Sequence, residues 1–198
     1  KQFPCTLLNC GDVMQDAALF YANKAQHPDF LLPEHFILAT LHRAENTDSP
    51  ERLQSIIAAL EEIAREMPVV IPIHPRTRKK LQELNFNFKQ TRLQLVDPVG
   101  YLEMVYLLKH CSLVATDSGG LQKEAYFFKK YCITLRTETE WVELVEQGAN
   151  IITGWRYEDI LNSYKQLKHT TKDVFSSPLY GDGQAGHIII RELQRIDS

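Results

Sequence analysis

The stretch LVATDSGGLQKEAYFF, residues 113–128, joins an apolar run to a helical pattern through a hydroxyl residue and two glycines. Gly119 and Gly120 carry no side chains, so backbone N–H groups there can approach a ligand closely. The first N–H groups of a helix are unpaired and carry partial positive charge, which attracts anions. The turn therefore predicts a phosphate site, to which Ser118 adds a hydroxyl donor.

Glu124 lies one turn into that helix, where a carboxylate cannot serve the phosphate itself. Two interpretations stay open at this point: the carboxylate accepts hydrogen bonds from a neighbouring diol such as a ribose, or it complements the helix dipole. The spacing matches neither the GxGxxG fingerprint nor the GxxxxGK[ST] P-loop. This disfavours a nicotinamide cofactor or an ATPase site and leaves a nucleotide diphosphate as the candidate ligand.

Apolar and β-branched runs alternate with longer amphipathic stretches along the whole chain. Strands are predicted at 6–9, 36–41, 69–73, 93–96, 113–116, 132–135 and 149–154. Helices are predicted at 12–25, 49–67, 76–84, 101–110, 120–129, 157–168 and 184–196. This alternation is typical of the α/β class with a doubly wound parallel sheet. Because no repeat or linker divides the sequence, we predict a single Rossmann-like domain over residues 1–198.

Polar residues follow five of the predicted strands, at the ends where parallel sheets bind ligands. They are His42-Arg43, His74-Pro75-Arg76, Asp97-Pro98, Asp117-Ser118 and Arg136-Thr137-Glu138. The carboxyl ends of parallel strands share one edge of the sheet. The sequence therefore predicts one site at that edge.

The composition limits the other classes of function. The 198 residues are 44% hydrophobic, enough for a sizeable core, and 22 basic against 25 acidic residues leave a net charge of −3. This near-balance gives no electrostatic footprint for nucleic acid or for a membrane surface. The four cysteines (Cys5, Cys10, Cys111 and Cys132) form no CxxC pair, and no histidine cluster has zinc spacing, so no metal is predicted. Since no signal peptide or membrane span is recognisable, we expect a reduced, cytoplasmic setting.

Several spaced motifs occur in a fixed order along the chain. They are GDVMQDAALFYA (11–22), LHRAEN (41–46), PIHPRTR (72–78), TDSGGLQKEA (116–125), LRTETEWVEL (135–144) and YGDGQA (180–185). In this order they resemble the non-hydrolysing UDP-N-acetylglucosamine 2-epimerases over essentially the whole chain. The RTETEW variant is most similar to the branch that includes epimerases of UDP-linked diacetamido-uronic acids.

The resemblance implies an architecture and a reaction. Family members have two Rossmann-like domains in the GT-B arrangement, and this chain resembles the C-terminal one, with the N-terminal domain absent. The implied reaction interconverts UDP-GlcNAc and UDP-ManNAc for cell-surface polysaccharide precursors: the C2 proton is removed, UDP leaves C1, and UDP adds back. It needs no redox cofactor or metal. Because the family's acid/base carboxylates lie in the N-terminal domain, we expect this chain alone to be inactive and the full-length protein to be a homodimer.

The resemblance also assigns roles to residues at the glycine turn and the first strand end. His42, the histidine of HRAEN, is expected to be catalytic, contacting the UDP phosphates and assisting the departure or return of UDP. Ser118, Gly119 and Gly120 are expected to hold the diphosphate. Glu124 is expected to bind the ribose hydroxyls, which favours the functional interpretation of that residue.

Other positions are similar to the family pattern or depart from it. Arg43 and His74 match positions that, in bacterial relatives, contact a second UDP-sugar acting as an activator. Met104 stands where relatives often place a Phe against the uracil, and Trp141 stands where some have an Arg. Arg136 is expected either to replace a phosphate contact or to be a structural partner of Glu138 or Glu140.

Three alternatives to the UDP-GlcNAc reaction stay open at this point. The first is an epimerase of a UDP-diacetamido-uronic acid, and the second is the C-terminal domain of a GT-B glycosyltransferase. The third is a nucleotide-binding module with no chemistry of its own. HRAEN together with TDSGGLQKEA favours the epimerase over the glycosyltransferase.

Overall fold

In the computed structural model, which describes residues 7–196, the apolar runs form six parallel strands of one sheet. The strands are β1 (Ile37–Thr40), β2 (Val69–Pro72), β3 (Gln94–Val96), β4 (Leu113–Thr116), β5 (Cys132–Thr134) and β6 (Asn150–Ile152). Their spatial order is β3-β2-β1-β4-β5-β6, and every neighbouring pair is parallel. This is the doubly wound order of the Rossmann fold, so the predicted fold class is confirmed.

Helices precede, connect and follow these strands. They are α1 (Val13–Ala22), α2 (Ala44–Thr47), α3 (Pro50–Ile63), α4 (Pro75–Glu83), α5 (Tyr101–His110), α6 (Gly119–Phe127), α7 (Val142–Glu146), α8 (Tyr157–Lys168) and α9 (Ala185–Ile196). The seven predicted helices are confirmed. The short helices α2 and α7 were missed, because one turn is too short to show a helical period.

One predicted element is wrong. The run at 6–9 was predicted to be a strand, yet residues 7–9 have no regular secondary structure, and Thr6 lies outside the described residues. Apolar composition alone does not make a strand, which needs a neighbour that pairs with its backbone. The described sheet ends at β3 and β6, and residues 7–9 pair with neither.

The sheet is buried on both faces, as β1 shows. Successive side chains of a strand point to opposite faces. Ile37 and Ala39 belong to an apolar cluster that includes residues of α3 and α8, whereas Leu38 belongs to a second cluster with residues of α5 and α6. All three side chains are at most 1% exposed. Two covered faces explain why β1 reads as a continuous apolar run and not as an alternating one.

The motifs near the two ends of the chain meet in the structure. The backbone N–H of Asp12 donates to the Tyr180 carbonyl at 2.8 Å. The Asp16 carboxylate accepts from the backbone N–H groups of Ala185 and Gly186 at 3.1 and 2.7 Å, at the start of α9. Acidic caps of this kind satisfy the unpaired N–H groups of a helix start. The GDVMQDAALFYA and YGDGQA motifs therefore belong to one packed unit, although they are far apart in sequence.

We expect the packing of α3 on the sheet to dominate its contribution to stability. Ile56 is fully buried in the first apolar cluster, so Ile56→Ala should lower the free energy of unfolding by about 2 to 5 kcal/mol. Gln54 is exposed on the same helix, and Gln54→Ala should change that free energy by less than about 0.5 kcal/mol. Urea denaturation of both variants measures the difference. Equal losses would contradict the assignment of the buried face.

Candidate functional site

The centre of the sheet, between β1 and β4, is the point where the strand order reverses. These strands pair over their full length, with Thr40 opposite Thr116 at the carboxyl end. The hydroxyls of this pair are hydrogen-bonded at 2.6 Å. Ligands of doubly wound sheets bind in the crevice outside such a switch point. His42 follows β1 and Ser118 follows β4, so both residues lie at this crevice.

A cavity of about 270 Å³ opens there. Its lining consists of Thr40, Leu41, His42, Pro72, His74, Pro98, Val99, Met104, Ser118, Gly120, Leu121 and Glu124. The structure thus gathers six of the predicted site residues: His42, His74, Met104, Ser118, Gly120 and Glu124. Their roles toward a ligand stay predictions. The cavity volume lies just below the range of about 300 to 1,000 Å³ that is typical of small-molecule sites.

Three predicted site residues do not line this cavity: Gly119, Arg43 and Arg136. Gly119 lies behind the turn, where an added Cβ would be 3.3 Å from the carboxylate of Glu140 and 3.7 Å from the guanidinium of Arg43. Arg136 is buried and donates two hydrogen bonds to Glu140, at 2.8 and 2.9 Å. This bidentate pair lowers the pKa of Glu140 to about 2. Of the two expectations for Arg136, the structure shows the structural partnership with Glu140.

Asp117 fixes the backbone around the site; the sequence placed it at this edge of the sheet but assigned it no role. Its carboxylate is fully buried and accepts the backbone N–H of His42 at 3.1 and 3.2 Å and that of Arg43 at 3.0 Å. It also accepts from the Asn46 side-chain amide at 3.2 Å, and that amide donates to the Leu135 carbonyl at 2.9 Å. The loop after β1 is thereby bound to the ends of β4 and β5. The available sequence signal was an acidic residue directly between a buried strand and Ser118.

Two histidines are held with one ring nitrogen facing a protein group. His42 Nδ1 lies 3.5 Å from Asp117 Oδ1, while its side chain stays 44% exposed. His74 Nδ1 accepts the backbone N–H of Arg76 at 3.2 Å, which caps the start of α4. With Nδ1 acting as an acceptor, neutral His74 carries its proton on Nε2 and can donate it to a ligand.

The glycine turn forms the start of α6, as predicted. Ser118 is the N-cap, and its hydroxyl accepts the backbone N–H of Leu121 at 3.4 Å. The backbone N–H of Ser118 donates to the hydroxyl of Thr116 at 2.9 Å, which fixes the strand end against the helix start. A Cβ added at Gly120 would meet no protein atom closer than 3.5 Å. Packing within the protein therefore does not require glycine at that position, whereas close approach of a ligand does.

Glu124 is a buried carboxylate on the cavity wall, with 8% of its surface exposed. Burial raises its pKa, and a hydrogen bond with Tyr101 opposes that rise. Burial and the neighbouring Glu124 in turn raise the pKa of Tyr101 to about 12. A carboxylate can accept about four hydrogen bonds. Glu124 therefore has acceptor capacity for ligand hydroxyls in a place where leaving it unused is costly.

Two further properties bear on the kind of site. Within residues 7–196, no three His, Cys, Asp or Glu side chains are grouped so that they could hold a metal ion. No helix in the same part of the chain is long and apolar enough to cross a membrane.

Glu124→Gln is expected to stabilise the fold near neutral pH. Because burial raises the pKa of Glu124 above its ordinary value of 4.5, the folded state binds this proton more tightly than the unfolded chain does. The contribution of Glu124 to stability is therefore fully present below pH 4.5 and is lost as pH rises through the folded-state pKa.

Urea denaturation across this pH range measures the effect. The excess stability of Glu124→Gln should be present at neutral pH and should vanish below pH 4.5. The same change at exposed Glu34 should show no such trend. A neutral-pH stability equal to or lower than that of the unaltered chain would contradict the burial argument.

Comparison with known proteins gives consistent matches. The family model described as UDP-N-acetylglucosamine 2-epimerase matches residues 3–194. The UDP-2,3-diacetamido-2,3-dideoxy-D-glucuronate 2-epimerase of Pseudomonas aeruginosa is 51% identical over 193 residues, which cover 96% of this chain and 53% of that protein. The UDP-N-acetylglucosamine 2-epimerase of Methanocaldococcus jannaschii is 39% identical over 168 residues, covering 82% of this chain and 45% of that protein.

Solved structures agree with these matches. The Methanocaldococcus jannaschii UDP-GlcNAc 2-epimerase in complex with UDP-GlcNAc and UDP superposes with a TM-score of 0.81 at 35% identity, covering 94% of this chain and 54% of that one. The Neisseria meningitidis enzyme bound to UDP-GlcNAc gives a TM-score of 0.79 at 28% identity, with the same coverage. The chain thus spans about half the length of the relatives it matches.

Proposed function

The chain belongs to the UDP-N-acetylglucosamine 2-epimerase family, and from this membership we propose that it is the UDP-sugar-binding half of such an enzyme. The observation that carries the proposal is the cavity at the switch point, where His42, Ser118, Gly120 and Glu124 meet. Each of these residues has a chemistry that suits one part of a UDP-sugar. The relatives whose structures contain UDP or UDP-GlcNAc share this fold.

The glycine turn suits the diphosphate. The first N–H groups of α6 carry the positive end of the helix dipole, and helix starts of this kind bind phosphate. Gly120 lines the cavity without a side chain, and Ser118 adds its hydroxyl. We place the diphosphate against these two residues.

The remaining wall suits the nucleoside. Glu124 accepts from the ribose hydroxyls, which add to the hydrogen bond that Tyr101 gives its buried carboxylate. Pro98, Val99 and Met104 form the apolar end of the cavity and receive the uracil. A thioether packs well against a flat ring, so Met104 can take the place of an aromatic residue there.

We propose that His42 assists the step in which UDP leaves or returns. Asp117 fixes its backbone by hydrogen bonds and faces its ring, while the exposed part of the ring borders the cavity. A protonated imidazole beside the diphosphate stabilises the negative charge that grows on the leaving group. Removal of the C2 proton breaks the C2–H bond and expels UDP from C1, and UDP re-adds after C2 is protonated on the opposite face. We assign the acid and base at C2 to the part of the protein beyond this chain.

The outer surface of this domain carries exposed apolar side chains that suit contact with a second domain. Phe20 on α1 and Ile190 and Leu193 on α9 are each more than half exposed, and the two helices are in contact. Exposed apolar side chains on two adjoining helices offer a surface that another protein segment can cover. We propose that residues 1–198 are the C-terminal domain of a two-domain GT-B enzyme that acts in the cytoplasm on polysaccharide precursors.

Arg43 and His74 are proposed to contact a second UDP-sugar that regulates the reaction. The Arg43 guanidinium lies near Gly119 and His74 lines the cavity, so both residues are close to the proposed diphosphate position.

A UDP-diacetamido-uronic acid is the second candidate substrate. The observation that favours it is the 51% identity to the Pseudomonas aeruginosa enzyme with that specificity. Product analysis of the full-length protein with each of the two UDP-sugars distinguishes the candidates. A glycosyltransferase would instead give a product only when a sugar acceptor is added.

Glu124→Ala should weaken UDP binding. Hydrogen bonds to a charged group contribute about 1.5 to 3 kcal/mol, so the affinity of the full-length protein should fall about ten-fold or more in calorimetry. A ligand without the ribose hydroxyls, 2′,3′-dideoxyuridine diphosphate, is the matched control and should bind the variant and the unaltered protein equally. An unchanged UDP affinity would return Glu124 to the helix-dipole interpretation.

The 198-residue chain alone should bind UDP weakly and should not exchange the C2 proton. Its diphosphate turn, Ser118 and Glu124 are present, but the cleft is open to water, which screens each contact. Proton removal needs a base within hydrogen-bond reach of C2, and His42 is placed at the phosphates instead. Deuterium uptake at C2 of UDP-N-acetylglucosamine in heavy water measures this. Uptake that a His42 substitution abolishes would show that the base lies in this half.

A further inference from the structure

The peptide unit between Gly119 and Gly120 determines where the proposed phosphate donor points. The carbonyl of Gly119 and the N–H of Gly120 belong to one planar trans unit and point in opposite directions. The unit lies in the first turn of α6, where two adjacent glycines restrain its rotation less than other residues would. An interaction that fixes the Gly119 carbonyl therefore also fixes the Gly120 N–H at the cavity.

Trp141 supplies such an interaction. Its indole Nε1–H donates to the Gly119 carbonyl at 2.8 Å, across 22 residues of sequence. The indole nitrogen lies close to the turn, since a Cβ added at Gly119 would be 3.5 Å from Nε1. Gly120, on the other side of the same peptide unit, lines the cavity.

The indole is itself held in place by the segment around it. The Lys123 ammonium lies 4.2 Å from the centroid of the Trp141 ring and is paired with the Asp12 carboxylate. The Trp141 backbone N–H donates to the Thr139 hydroxyl at 3.1 Å, and that hydroxyl donates to the buried Gln122 side chain at 2.7 Å. Both Lys123 and Gln122 belong to α6, so the helix that carries the turn also orients the ring behind it.

We propose that Trp141 is a positioning residue for the diphosphate: its indole N–H fixes the Gly119–Gly120 peptide so that the Gly120 N–H faces the phosphate. The inference rests on the proposed function, because it assumes that UDP binds at this turn. Trp141 does not line the cavity and acts only through the peptide unit. Its effect should therefore be confined to ligands that carry phosphate.

Trp141→Phe tests the proposal, since it removes the N–H and keeps an aromatic ring for Lys123. Loss of one hydrogen bond should weaken UDP binding to the 198-residue chain about five-fold in calorimetry. Binding of uridine, which lacks phosphate, should not change when it is followed by ligand-observed NMR. In the chain without ligand, the ¹⁵N order parameter of the Gly120 amide should fall. Trp155→Phe, at the other tryptophan of the sequence, is the matched control and should change none of these quantities.

Each outcome decides the proposal. Unchanged UDP affinity with an unchanged Gly120 order parameter overturns it, and so does an equal loss of UDP and uridine binding, which indicates a general structural role. If the unaltered chain does not bind UDP, the proposed function fails and this inference fails with it. If Trp141→Phe lowers thermal stability, Thr139→Val provides the second variant: it keeps the indole N–H but removes the hydroxyl that orients it, and the same selective loss is expected.

Discussion

The site depends on one buried carboxylate at the switch point of the sheet. Asp117 accepts the backbone N–H groups of His42 and Arg43, and thus pairs two donors of the loop that leads into α2. A hydrogen bond to a charged group contributes about 1.5 to 3 kcal/mol. The loop after β1 and the turn after β4 are therefore linked directly, and His42 and Ser118 keep their positions on either side of the same crevice.

The fold could be predicted largely from local patterns in the sequence. Most strands and helices of this chain are long enough to show their own hydrophobic pattern. Helix α5, for example, was predicted with the bounds that the structure gives. The short helices α2 and α7 could not be predicted in this way. The strand predicted at 6–9 failed because strand formation depends on a pairing partner, which local composition does not reveal.

The candidate site was only partly predictable. Apart from Met104 on α5, the residues that line the cavity lie at strand ends, in the loops after them or on the helix that begins at the glycine turn, so topology brings them together. Asp117 and Trp141 act through hydrogen bonds that cross 75 and 22 residues, and no local pattern distinguishes such contacts from an ordinary polar loop. Arg136 shows the same limit, since its position after a strand fitted a ligand contact and an ion pair with Glu140 equally well.

In the proposed reaction, one half of the enzyme binds UDP and the other transfers the proton. This separation explains the positions of the polar groups in the half described here. Under the proposed function, UDP leaves the sugar and must return to it, so the half that binds UDP has to retain a charged leaving group without performing the proton transfer. A turn that rests on fixed backbone donors meets this need, because its N–H groups keep their direction whether or not the phosphate is attached to the sugar. We expect the cost at Glu124: its burial raises the pKa of the carboxyl and disfavours the charged form at neutral pH, and under the proposed function that carboxylate accepts the hydroxyl groups of the nucleotide. Under the proposed function, ligand binding therefore favours a glutamate at position 124, whereas the stability of the domain disfavours it.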